Sequence, residues 1–338
     1  MNFSDPSLQA KLHQLAADAD TGGGRPLKDL LASNDQLKGV ESQRLRTYFT
    51  SHSMEPSRDL DSFGGMLLMG ELERIKADYA NRVSRIQSRA ESEEAAREGA
   101  AKELFALHWG PTRVPIYNLL LLSTLIYSPC RSKHLAIARW LITEAEVPVD
   151  GTDLSGSTAL YHAISTKPSF DTEYGQILHD AGASVNHRNR YGGTAAHEMS
   201  LIWQPQNKSL VERAADGLKW YLDHGGNIDI KDNDGMSVRF AVDSTRKLVL
   251  RGITDMATWD VVDKEDKRRK RLGNKCCTFC GREPEGDVKL LLCSQCKSAS
   301  YCAPPRKCQK QDWPRHKEAC KQFKSAGQGM TYLGVNLG

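Results

Sequence analysis

A mainly α-helical chain is what the sequence predicts: N-terminal helices, then a helical solenoid, then a small cysteine-rich module at the C-terminal end. Three observations predict it. Apolar residues recur at steps of three and four from Leu68 to Ile86, which is helical spacing. A short turn-and-helix phrase returns at Val114, Asp153, Asn189 and Asp232. Eight of the nine cysteines crowd between Cys276 and Cys320.

Composition sets the class. With 338 residues, 39% hydrophobic and 26% charged, the chain has the profile of a water-soluble protein with room for several domains. Its longest apolar stretch, Val114 to Tyr127, carries Asn118, Ser123 and Thr124 and is too short and too polar to span a bilayer. No basic segment followed by an apolar core opens the sequence, so a secretory signal is not expected. An intracellular residence, in nucleus or cytoplasm, is the expectation, and with it reduced thiols. The domain boundaries expected are a helical N-terminal region over 1–107, repeats over 108–254, a basic linker over 255–275, the cysteine module over 276–322 and a tail over 323–338.

In the N-terminal region, Asp20 to Pro26 contains three consecutive glycines and reads as a loop between short helices. From Gly65 to Leu107 the stripe Leu68, Leu72, Ile75, Tyr79, Val83 and Ile86 predicts one long amphipathic helix packed on the next domain, with a coiled-coil seam as the alternative.

The repeats come next. Asp153 to Ala163 reads DLSGSTALYHA, Asn189 to Met199 reads NRYGGTAAHEM, and Asp232 to Val242 reads DNDGMSVRFAV. A more degraded copy runs from Val114 to Leu119. Glycine suits the positive φ of a turn, and the following Thr or Ser suits a helix N-cap. The fourth position of the helical phrase is always a ring (Tyr117, Tyr161, His197, Phe240), expected to pack on the neighbouring repeat. Two positions on lie Leu119, Ala163, Met199 and Val242, all apolar. The pattern resembles the ankyrin repeat family, although Arg239 stands where the family has Leu. The ring positions of successive copies lie 44, 36 and 43 residues apart, longer than the family's regular period, so insertions are expected near Ser128–Lys133 and Gln204–Lys208. On this resemblance His197 is a helix-start residue and not a base or a metal ligand.

The cysteine module has its own arithmetic. Cys277-x2-Cys280 and Cys293-x2-Cys296 are tight knuckles, followed by Cys302, Cys308, and His316-x3-Cys320. Eight ligands of this chemistry make two tetrahedral zinc sites. His316 and Cys320, four apart, share a helix face, with Asp312 and Pro314 expected at that helix's start. The string from Cys293 through Tyr301-Cys302, Cys308-Gln309, Asp312-Trp313 and His316 to Cys320 resembles the MYND zinc finger. The resemblance implies a cross-brace: one ion on Cys277, Cys280, Cys302 and Cys308, the other on Cys293, Cys296, His316 and Cys320. Between Cys302 and Cys308 stand five residues where the family has three, among them Pro304 and Pro305. Cys276 and Cys130 are expected to be unligated thiols.

The same resemblance implies protein binding: capture of proline-containing peptides of Pro-x-Leu-x-Pro type. The residues implied are Ser298, Ala299 and Ser300 through backbone pairing, with Gln309 and Trp313 beside them. Two interaction modules in one chain make an adaptor, the ankyrin repeats holding a second partner. Filled ligand sets are structural, so no catalysis is expected. A methyltransferase related to MYND proteins with SET domains is the enzyme alternative, set aside because the family's catalytic region follows the finger and 18 residues follow Cys320 here. A nuclear transcriptional regulator contacting nucleic acid is the other alternative. Residues 264–324 hold 17 Lys and Arg against 7 Asp and Glu, but seven thiolates and two zinc ions lower that +10 to about +7. The run Lys267 to Arg271 is a candidate nuclear import signal.

Overall fold

The computed structural model describes residues 23–165, 170–202, 204–247, 255–285, 289–303 and 307–325. Among them none lies in a helix long and apolar enough to cross a membrane. They group into two compact units, the first of residues 23–198 with 231–236 and the second of 199–230 with 237–325.

The first unit begins with α1 (Leu27–Ala32), α2 (Gly39–Ser51), α3 (Pro56–Asp59) and α4 (Ser62–Met69). The single long helix expected from Gly65 to Leu107 is instead the end of α4, then α5 (Leu72–Gln87) and α6 (Glu93–Phe105). Gly70 at φ 72° ends α4 in the left-handed conformation, and the Ser92 side chain caps a fresh helix by accepting from Ala95 N–H. α5 and α6 form a hairpin stitched by Arg82 and Arg85 on Glu103. The apolar stripe still packs on the segment expected to hold the repeats: Ile75 and Tyr79 are buried, and the Tyr79 ring meets Trp140 edge-on at 5.5 Å.

The repeats follow. A two-residue antiparallel pair, β1 (His108–Trp109) with β2 (Val114–Pro115), leads into α7 (Ile116–Ile126). A 3-10 turn over Ser128–Cys130 absorbs part of the expected insertion before α8 (Arg131–Thr143). α9 (Ala159–Ile164) pairs with α10 (Thr172–Asp180), and α11 (Ala195–Ser200) opens the third copy.

One device builds the turns. The first residue of each of the last three, Asp153, Asn189 and Asp232, accepts backbone N–H groups two and four residues ahead. That closure needs a left-handed residue at its fourth position, which Gly156 (φ 76°), Gly192 (φ 77°) and Gly235 (φ 87°) supply. Adjacent tips then bond to each other: Leu154 N–H donates to Thr112 O at 2.8 Å, Arg190 N–H to Ser155 O at 2.9 Å, and Asn233 N–H to Tyr191 O at 3.0 Å. Thr158 caps α9 through Tyr161 N–H, as expected. Tyr117 and Tyr161 are buried, and His197 sits at its helix start with Nδ1 on Thr194 and Nε2 facing Met236 O at 3.2 Å.

Residues 30–39 lie as a strap across these tips. Leu37 N–H donates to Arg190 O at 2.7 Å, Asn233 Nδ2 to Leu37 O at 2.8 Å, and Gly39 N–H to Asp234 Oδ1 at 2.8 Å. Leu30, Leu37 and Leu45 are buried against Leu154 and Tyr191. The Arg190 guanidinium, itself buried, donates to Leu30 O, Asp35 O, Leu154 O and Ser33 Oγ.

The second unit contains α12 (Lys208–Asp223), α13 (Val238–Thr245) and α14 (Ala257–Leu272), followed by the zinc-ligand region. The expected basic linker over 255–275 is mostly the helix α14, packed on α12 with Trp259 and Val262 buried. Trp259 Nε1 donates to Thr245 Oγ1 at 2.7 Å. Ser237 caps α13 through Phe240 N–H. Phe240 does not pack as its counterparts do: it is 58% exposed, while Val242 two residues on is buried. Arg239, in the place of a leucine, is held by Asp229 and Asp266 at 2.6 Å each.

Candidate metal centre

Two four-residue knuckles start the site. In each, the residue after the second cysteine donates its N–H to the carbonyl of the first: Gly281 to Cys277 at 2.8 Å, and Lys297 to Cys293 at 2.9 Å. This closure needs positive φ, 71° at Gly281 and 53° at Lys297. Glycine adopts it freely; lysine does so at a cost of about 1 kcal/mol.

The second knuckle is the loop of a hairpin between β3 (Leu290–Leu292) and β4 (Ser300–Cys302), with Leu291 opposite Tyr301. β4 thus delivers Cys302 next to the first knuckle. One helix, α15 (Lys307–Ser325), carries the remaining ligands Cys308, His316 and Cys320. Phe279, Ala299 and Tyr301 fill the space among the cysteines.

The eight predicted ligands fall into two groups, Cys277, Cys280, Cys302 and Cys308 in one, Cys293, Cys296, His316 and Cys320 in the other. Within each group all donor atoms lie within 4.8 Å of one another. Cys280 and Cys302 Sγ are 3.5 Å apart, Cys293 and Cys320 Sγ 3.9 Å, and Cys296 Sγ is 3.4 Å from His316 Nε2. A tetrahedral zinc with Zn–S of about 2.3 Å sets its sulfurs about 3.8 Å apart, so the spacing suits zinc. It does not suit disulfides, whose S–S length is about 2.05 Å.

Charge makes the same case. Hydrogen bonds from Cys280, Cys302 and Cys308 push Cys277 down toward the thiolate, and that thiolate pushes Cys280 and Cys308 up. Burial, then Cys293 and Cys296, pushes Cys320 up to about 12. Four thiolates therefore coexist only around a cation. Burial pushes the His316 imidazole down, which keeps it neutral, the form that ligates. With four protein donors each, both sites are closed and structural. Cys276 lies outside both groups, its Sγ 3.5 Å from Gly273 O, and Cys130, also outside both, belongs to the first unit. Pro304 and Pro305 fall outside the described residues, yet Cys308 beyond them joins the first group.

Two expectations need correction here. Asp312 and Pro314 do not start the helix; it begins at Lys307 and Pro314 is inside it. Ligands on both sides of Pro314 hold the helix across the missing N–H. Asp312 is buried and accepts from Tyr301 Oη at 2.7 Å and Arg315 Nε at 2.9 Å, joining the helix to β4.

The other concerns Ser298, Ala299 and Ser300 as a pairing edge. Ser300 is bonded through both backbone groups to Thr278, and Ala299 O accepts from Cys293 N–H at 2.8 Å. Ser298 Oγ turns to Cys296 Sγ at 3.0 Å, supporting a ligand. β4 is flanked on both sides, so among the described residues the open edge of the hairpin is β3, where Leu292 is 51% exposed. Trp313 is 42% exposed, with Gln309 one turn before it on the same helix face. Sequence reasoning missed the β3 edge, Thr278 and the Asp312–Tyr301 bond; the three leucines before Cys293 were the available signal for the first.

Comparison with known proteins agrees with this geometry. Residues 277–320 match the MYND finger family. Human histone-lysine N-methyltransferase SMYD3 is 52% identical over 46 residues, 14% of this chain and 10% of that protein. Xenopus laevis N-lysine methyltransferase SMYD2-B is 46% identical over 52 residues, 15% of this chain and 11% of that protein. The chain thus spans about a tenth of the length of the curated relatives it matches, and the match lies in the finger. An ankyrin repeat domain from Acinetobacter baumannii AYE aligns over 59% of this chain and 96% of its own, with 18% identity and a TM-score of 0.34. At that score the repeat assignment rests on the turns and caps themselves. The C-terminal segment is a MYND-type zinc finger, a protein-interaction module, behind ankyrin-like repeats.

Proposed function

We propose that this protein is a non-catalytic intracellular adaptor whose zinc finger captures extended proline-containing peptides. The observation that carries the reading is Trp313. It is a large ring left 42% exposed on a helix that three metal ligands hold in place. A tryptophan needed to fill the zinc core would be buried, as Tyr301 is. A rigid, exposed indole face is a platform for proline rings, and Gln309 beside it offers an amide for a peptide carbonyl.

The strand that receives the peptide backbone is β3 in this reading, because among the described residues its outer edge has no strand partner while Ser300 of β4 is bonded to Thr278. Leu291 and Leu292 add apolar contact for the peptide's leucine. Closed ligand sets support binding over catalysis. The repeats' partner is expected on their helical faces, since the strap covers the turn tips of the first unit. The candidate nuclear import run presents Lys267, Lys270 and Arg271 to solvent on α14.

A synthetic Pro-x-Leu-x-Pro peptide, titrated against the zinc-loaded chain by fluorescence anisotropy, tests this. Trp313→Ala is expected to keep two zinc ions and weaken binding at least about tenfold, the scale of an aromatic hot spot. Leu292→Arg at the β3 edge is expected to weaken it as well. Binding unchanged in both variants, or zinc lost with Trp313, would remove the basis of the reading.

A further inference from the structure

The zinc finger is expected to be a module on a linker, yet its first knuckle is held by α14, the helix that occupies that linker. Arg268 Nη2 donates to Gly281 O at 2.7 Å, and Arg269 Nη1 to Thr278 O at 3.4 Å. Both carbonyls belong to the turn that closes Cys277 and Cys280 around an ion. The two guanidiniums are fixed from behind by Glu265, whose side chain is buried and whose pKa they hold below the usual carboxylate range against the cost of burial. On the other flank the Arg282 guanidinium reaches His224 O at the end of α12. Ile230, in the loop after α12, packs on the finger's core. All of these lie in the second unit.

We infer that the zinc finger is the C-terminal cap of the repeat array, and that zinc at the Cys277, Cys280, Cys302 and Cys308 group controls the order of α12 and α14. The physical link is short. A finger this small draws most of its folding free energy from the metal. Without the metal the knuckle has no reason to keep Thr278 O and Gly281 O aimed at α14. A terminal repeat needs a cap, because one of its faces has no next repeat to cover it. Losing the knuckle therefore removes contacts from both α12 and α14. The basic helix is not a tether: one part of its charge is committed to the finger, and Lys264, Lys267, Lys270 and Arg271 are what it shows to water.

Hydrogen exchange on the full chain, zinc-loaded and then stripped with a strong chelator, tests the coupling. Amides of α14 and the last turns of α12 are expected to exchange about tenfold faster or more after stripping, alongside those of 277–320. The double variant Arg268→Lys, Arg269→Lys keeps charge next to Glu265 but loses the planar donors. It is expected to retain two zinc ions while exchange in α14 no longer follows zinc. A change confined to 277–320 in the wild type overturns the inference. So does a double variant whose α14 still responds to zinc as the wild type does. If the double variant is poorly folded, Arg282→Lys offers the same comparison at α12.

Discussion

Replacing Arg190 by methionine removes four hydrogen bonds and leaves a side chain of similar length. The guanidinium reaches Leu30 O at 2.9 Å and Asp35 O, Leu154 O and Ser33 Oγ at 3.1 Å each. None of these acceptors is a carboxylate, and burial pushes the group's pKa below its ordinary value, so part of the gain offsets desolvation. A hydrogen bond to a charged group contributes about 1.5–3 kcal/mol, and a buried acceptor left unpaired costs about 1–3 kcal/mol. With desolvation subtracted, a net loss of about 3 kcal/mol is expected for the first unit. Urea denaturation followed by the fluorescence of Trp109 and Trp140, both in that unit, gives the number. Limited proteolysis gives the location: cuts within residues 23–40 should appear first, because the strap loses its anchor. Arg190→Lys keeps the charge but can reach fewer acceptors and should fall between. A loss under about 1 kcal/mol, or proteolysis that spares the strap, would show that the leucines alone hold it.

Other outcomes follow from the site and its surroundings. Lys297→Gly relaxes a φ of 53° and should raise the finger's stability by up to about 1 kcal/mol, read as a higher chelator concentration for half zinc release. Tyr301→Phe removes the 2.7 Å bond to Asp312 and should cost about 1–3 kcal/mol while both ions stay bound, read by melting with a zinc assay. Zinc uptake near neutral pH should release protons, because Cys320 held at about 12 is a thiol before it ligates; affinity then falls as pH falls, measured by competition with a chromophoric chelator. In the first unit, hydrogen bonds from Arg25 lower Glu41 to about 2 from 4.5. Its contribution is complete above the unfolded value and is lost between about 4.5 and 2, so the protection of Arg25 N–H, which donates to Glu41, measured against its intrinsic exchange rate at each pH, should fall across that window and not above it.

What could be read from the sequence was set by local chemistry. Cysteine spacing paired Cys277 with Cys280, Cys293 with Cys296 and His316 with Cys320, while their interleaving into two sites came from the resemblance to the MYND finger; the turn phrase placed Gly156, Gly192 and Gly235 correctly because no other residue closes such turns so cheaply. The role of His197 followed from the same register. Misreadings came where local and tertiary preferences diverge. The stripe from Leu68 to Ile86 is continuous in period, but Gly70 and the cap at Ser92 cut the chain into pieces that fold back on themselves. Composition made α14 look like a solvated linker, since Arg268 and Arg269 reveal their partners only once Gly281 and Thr278 are in place. Asp312 and Pro314 are typical of a helix start, yet the metal ligands on either side override that preference. Phe240 matched the ring positions of the other copies and lies exposed, and nothing in its own segment distinguished it. Which strand of the hairpin is open depended on Thr278, more than twenty residues before β4 in sequence, which no periodicity could disclose.

The strap over the turn tips also bears on how the first unit comes to be. Repeat arrays assemble through contacts between neighbours in sequence, which makes them quick to start and able to fold in pieces. Here Arg190 bonds to Leu30 across 160 residues, and Asn233 to Gln36 across 197. During synthesis, Leu30 and Leu37 have left the ribosome long before the turn at 232–236 exists to receive them. Closing so long a loop adds only a slowly growing entropic cost, but the closure comes last. A ladder that could otherwise fray from its ends is thereby closed by contacts between its earliest and latest turns.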